Sequence, residues 1–216
     1  MQEEYKNIEK LYNSSLGKKE IDADLKIKIK NYLENTRSIL DYCAHDIADT
    51  LGISGDRIYF PIIEKDKSKD SFSGAIGRNL SGLELKNAAL FNYLENIQSY
   101  HPEYSWLGDF NDIVNDNKHQ DLTPQTKTES HRIKSEHAGG GSVSWNPSAV
   151  RFEADVFING APVDPTTQMP IQTSATVVTK EIWVDFKFNN TVSALPLLKK
   201  INNEVSKIVE SIYKLI

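Results

Sequence analysis

The chain has 216 residues, with 25 Lys and Arg against 30 Asp and Glu, a formal charge of −5 and an apolar share of 39%. That length buries a sizeable core without staples, and the composition is too apolar for a disordered chain. The modest acidity argues against wholesale polyanion binding, and the single cysteine, Cys43, excludes an internal disulfide and any zinc site built on two thiols.

Residues 1–16 read as a helix, with Tyr5, Ile8, Leu11 and Tyr12 on one side and Gly17 as its breaker. The charged start, Met1-Gln2-Glu3-Glu4-Tyr5-Lys6, has no apolar stretch of signal-peptide type. No run approaches the ~20 apolar residues of a membrane span, so the cytoplasm is the expected location and no membrane partner is expected. Residues 19–51 carry the strongest helical signal: Leu25, Ile29, Tyr32, Leu33, Thr36, Leu40, Ala44, Ile47 and Leu51 recur at three- and four-residue steps, and Gly52 follows as a stop. Cys43 lies in that apolar stripe and reads as a buried, inert thiol.

Residues 53–82 read as irregular. Phe60 precedes Pro61 and is pushed out of the helical region, so residues 58–63 are expected to be extended. The charged run 65–70 reads as a solvated loop. Helices are predicted over 83–98 and 104–118, separated by His101-Pro102. Beyond Pro124 the period changes to two. Residues 126–134 read as a polar strand at a sheet edge, and Gly139-Gly140-Gly141 as a turn. Residues 150–158 alternate as a half-buried strand that Asn159-Gly160 closes with a hairpin signal. Residues 161–173 read as loop, 176–188 as a second strand, and the segment from 193 as a helix with Pro196 in its first turn.

The expected fold is therefore α+β: an N-terminal helical bundle over residues 1–121, a small antiparallel β section over 122–190, and a C-terminal helix over 191–216 that packs back on the bundle or the sheet.

Two polar constellations stand out. Arg37, Asp41 and His45 are spaced four apart on one helix. Such a ladder either orients an imidazole for acid–base work or is a plain ion-pair ladder on a solvated face. The second comprises Asn111, Asp112, Asn115, Lys118 and His119, with Asp112, Asn115 and His119 sharing a face if the helix is continuous. Asn and Asp are poor helix formers, so either a polar cleft imposes them or the helix ends there. Neither cluster has metal-ligand spacing, and no cofactor motif is present, so no metal or cofactor is expected.

The order Arg37-Ser38-Ile39-Leu40-Asp41, Phe60-Pro61-Ile62 and Asn115-Asp116-Asn117-Lys118-His119 with Leu122 resembles a group of bacterial and phage-associated helical proteins. In that group an RxxLDxxA…FPI…NxxKHxxL order recurs. The likeness covers about residues 25–125, and the group is in turn similar to the HEPN superfamily of helical bundles. The resemblance implies a homodimer and a metal-independent ribonuclease of phage-defence or toxin–antitoxin type, acting on RNA. Under it, His119 or His45 is the acid–base group, Lys118 or Arg37 stabilises transition-state charge, and Asn115 holds substrate or imidazole. The HEPN pattern sets a histidine four to six residues after an arginine. Here Arg37 and His45 are eight apart, and no arginine lies near Lys118-His119. A non-catalytic binding or regulatory protein with a protein partner is the alternative, and an enzyme on a small polar substrate the third reading.

Overall fold

The computed structural model describes residues 1–16, 21–119, 125–147, 149–153, 156–189 and 191–216. These fall into two compact units, Met1–Thr126 with Phe186–Ile216, and Lys127–Asp185. The fold is α+β.

In the first unit, α1 (Gln2–Ser15) buries Tyr5, Ile8, Tyr12 and Ser15. Then α2 (Ala23–Leu51) runs 29 residues, about 43 Å at 1.5 Å per residue. The Asp22 carboxylate accepts from the Asp24 N–H at 2.9 Å and caps its start. Its end is a Schellman turn: Gly52 takes φ 59°, its N–H reaches Asp49 O, and the Ile53 N–H donates to Ala48 O at 2.8 Å. Lys86 Nζ covers two further carbonyls there, Leu51 O at 2.8 Å and Gly52 O at 3.2 Å.

A helix absent from the sequence reading follows, α3 (Lys69–Asn79). Its apolar face is only Phe72, Ala75 and Ile76, and Gly74 and Gly77 each cost the helix about 1 kcal/mol relative to alanine. Burial overrides that propensity: Phe72 is fully buried, with its ring 5.3 Å from that of Phe91.

The helix expected over 83–98 is divided at Asn87 into α4 (Leu83–Lys86) and α5 (Ala88–Asn96). The Asn87 side chain accepts from the Leu90 N–H at 3.0 Å, capping α5, and donates to Leu215 O at 2.7 Å. A 3-10 turn at Pro102–Tyr104 leads into α6 (Ser105–His119), which is helical through its last residue. The closing helix α7 (Ala194–Leu215) buries Leu197, Leu198, Ile201, Val205, Ile208 and Ile212 and contacts α1, α2, α5 and α6. No described helix is long and apolar enough to cross a membrane.

The strands are β1 (Gln125–His137), β2 (Ser142–Trp145), β3 (Phe157–Ile158), β4 (Ala161–Asp164), β5 (Met169–Pro170), β6 (Thr176–Phe188) and β7 (Val192–Ser193). One sheet runs β2-β1-β6-β7 and the other β3-β4-β5. The polar stretch 126–134 lies in β1, and β2, turned back by Gly140 and Gly141 at φ 94° and 96°, pairs with β1 only at 133–136, with Ile133 opposite Trp145, so the stretch is covered on that side at its end alone. Asn159 and Gly160, both at positive φ, close the expected hairpin and pair Ile158 with Ala161. That places β4, and then β5, in the stretch read as loop. Residues 150–153 of the alternating run do not join a ladder. The Gln168 amide accepts from the Phe152 N–H and donates to Phe152 O at 3.0 Å, filling the bonds a neighbouring strand would make. Ile133, Trp145, Ile158 and Val163 form the small core of the second unit, Lys127–Asp185.

Candidate functional site

The extended segment 58–63 is the centre of the site, because its backbone is held by side chains on both edges. Proline has no N–H to give, and Phe60 before it is kept extended. On one edge the Phe60 N–H donates to Asp41 Oδ1 at 3.0 Å, and Arg37 Nη2 donates to Phe60 O at 2.9 Å. On the other, the Ile63 N–H donates to Gln98 Oε1 at 3.0 Å and Gln98 Nε2 donates to Pro61 O at 3.1 Å. Ser99 Oγ donates to Ile63 O. Phe60 is 1% exposed and Gln98 fully buried, so each of these bonds answers a group that water does not reach. Gly108 lets α6 come this close: a Cβ there would lie 2.9 Å from Lys65 Cγ and 3.1 Å from Ser99 Cβ.

Arg37 and Asp41 are joined side-on, Nη2 to Oδ1 at 3.1 Å and Nε to Oδ2 at 3.3 Å, with 13% and 21% of their side chains exposed. Burial pulls the Arg37 guanidinium below its usual value, and the Asp41 charge opposes that. The pair is thus neither a solvated ladder nor the orienting partner of an imidazole. It substitutes for a neighbouring strand.

The expected residues divide around this clamp. Arg37 also reaches α6, where Nη1 donates to Asn111 Oδ1 at 3.5 Å, so the two polar strips touch at one point. His45 is exposed and has no hydrogen bond or ion pair among the described residues. It lies eight residues, about 12 Å of helix, beyond Arg37. Asn115 is exposed on α6, while Asn117 is buried. Lys118 and His119 complete the helix, and their side chains lie outside what the structure describes. The Asp112 carboxyl is raised by partial desolvation and by the charges of Glu64, Asp109 and Asp116. Cys43 is buried, and burial pushes its thiol up, away from nucleophilic character.

Beside the clamp a groove of about 650 Å³ opens between residues 59–64 and α3. Arg37 and Asn111 line one part of it, and Ser71, Gly74, Ala75 and Arg78 form the α3 wall. Tyr59, 52% exposed, stands at its side. Arg78 is exposed and makes no ion pair among the described residues. Its guanidinium lies back along α3, with Nη1 3.6 Å from where a Cβ on Gly74 would sit. The groove was not visible in the sequence because α3 was not.

A second cluster was also missed. Glu95 Oε1 accepts from Tyr100 Oη at 2.8 Å and lies 3.3 Å from His101 Nε2, while Lys69 Nζ is 3.9 Å from Oε2. These bonds hold the Glu95 carboxyl below its usual range against the opposing effect of burial. Among the described residues no three His, Cys, Asp or Glu side chains gather to hold a metal ion. No family model, no curated protein and no solved structure matches the chain.

Proposed function

We propose that this chain is a non-catalytic binding protein that engages its partner through the groove between α3 and residues 59–64. One observation carries the reading: the guanidinium and carboxylate best suited to chemistry are spent on the Phe60 peptide. Turning Arg37 towards a phosphate would strand the Phe60 carbonyl and leave Asp41 without its cation, at a cost of several kcal/mol. His45, exposed and about a dozen ångströms along the helix, has no partner among the described residues to orient it. The groove, by contrast, is open, concave and mixed in character, as recognition sites are.

The metal-independent ribonuclease reading keeps its support on α6, whose unbroken run through His119 sets Asp112, Asn115 and His119 on one helical face. Incubating the full chain with RNA in excess EDTA separates the two. Intact RNA is expected. Cleavage that persists in EDTA and disappears in His119→Ala would overturn the binding-protein reading.

A further inference from the structure

The groove has a ligand class written into three of its features. The first is a free backbone edge. In an extended chain the polar groups of residues i and i+2 share an edge, so Phe60 and Ile62 face one way, Pro61 and Ile63 the other. Gln98 and Ser99 fill the second edge. On the first, Asp41 and Arg37 fill the Phe60 positions, but the N–H and C=O of Ile62 have no hydrogen bond among the described residues. Ile62 is half-buried and lines the groove, so the groove reaches the residue whose backbone pair is unfilled.

The second feature is charge. Glu64 and Asp70 line the groove as well, and Glu64 is answered by Lys67 at 3.6 Å. Asp70 is two turns before Arg78, about 12 Å along α3. Arg78, without an acidic partner among the described residues, is therefore an unpaired cation at the far end of its wall. The third is the apolar surface between, supplied by Tyr59, Pro61 and Ala75.

We propose that the groove takes an extended peptide segment bearing one carboxylate; the proposal rests on this groove being the binding site. The peptide main chain pairs with the N–H and C=O of Ile62, as in strand addition. Its carboxylate accepts from the Arg78 guanidinium. An apolar neighbour packs on Tyr59 and Ala75. A run of RNA phosphates fits less well, because Lys67 is paired with Glu64 and Arg37 with Asp41, so successive charges would find Arg78 alone to receive them and Asp70 opposing them.

The test follows backbone amide and arginine Nε resonances of the full chain against three probes. These are a blocked hexapeptide of alanine and valine with one central glutamate, its glutamine counterpart, and a hexauridylate. The glutamate peptide is expected to shift Ile62, Gly74 and Arg78, and to bind about tenfold more tightly than the glutamine peptide. Arg78→Ala should erase that difference without moving the unfolding midpoint, since the side chain is exposed and makes no ion pair among the described residues. Equal affinity for both peptides, or a difference that survives Arg78→Ala, overturns the carboxylate assignment and leaves the groove as a binding site. Shifts with the hexauridylate alone overturn it in favour of RNA. Groove resonances unmoved by every probe overturn the groove and its ligand class together.

Discussion

Replacing Arg37 by alanine removes one guanidinium and disturbs three groups at once. The Phe60 carbonyl loses a donor at 2.9 Å, and an unsatisfied buried acceptor costs about 1–3 kcal/mol. Asp41 loses both bonds of its side-on pair, at 3.1 and 3.3 Å, but keeps the Phe60 N–H. Its side chain is 21% exposed, so water recovers part of the loss and the full 3–5 kcal/mol of a broken buried pair does not apply. The Asn111 bond, at 3.5 Å, contributes little. The expected loss is about 3 kcal/mol, read as a lower urea midpoint at unchanged slope, or about 6–12 °C in melting temperature for a chain of this size. Lys28→Ala is the matched control. Its partner Asp24 is also four residues away, at 3.8 Å, but both side chains are well exposed, and less than about 0.5 kcal/mol is expected. If Arg37→Ala shifts the midpoint no further than Lys28→Ala, the clamp does not hold the extended segment and the reasoning fails.

Two further outcomes follow from the same geometry. Gly108→Ala should destabilise by about 1 kcal/mol or more, because its Cβ would press on Lys65 and Ser99, whereas Gly77→Ala, with nothing within 4 Å, should stabilise by about 0.5–1 kcal/mol; opposite signs in urea unfolding check both. The hydrogen bond from Tyr213 Oη to Asp46 pushes the phenol from its ordinary 10.0 up to about 12. Because the folded value is the higher one, this bond's contribution is complete below pH 10 and is lost as pH rises towards 12. An ultraviolet difference titration should show Asp46→Asn returning one tyrosine towards its ordinary value, and an unchanged titration would remove the bond from the account.

The long helices were legible in the sequence because their evidence is local. In α2 and α7 the apolar period is long enough to average over poor helix formers, and Gly52 marks its end by a backbone geometry that glycine favours. The hairpin at Asn159-Gly160 was legible for the same reason. What failed was short or dependent on a distant partner. With two glycines and two serines in 11 residues, α3 has no local case for a helix, and only the burial of Phe72, Ala75 and Ile76 makes one. Residues 150–153 have a strand's alternation, yet Gln168 claims the backbone of Phe152. Asn87 splits a continuous apolar pattern because its side chain caps one helix and holds the end of another.

The candidate site divides in the same way. The pairing of Arg37 with Asp41 follows from four-residue spacing, and the extended form of Phe60 from the proline after it. That the pair would grip the Phe60 peptide, 19 residues beyond Asp41, left no trace in either periodicity, and Gln98 gave no sign of gripping the other edge. By itself, then, the amino-acid order determined which segments coil, where they stop and which two side chains would pair, since those are contests between neighbours a few residues apart. Only the tertiary structure decided what the pair was for. A buried backbone group must be satisfied by whatever the folded chain brings beside it, and that choice is made across space.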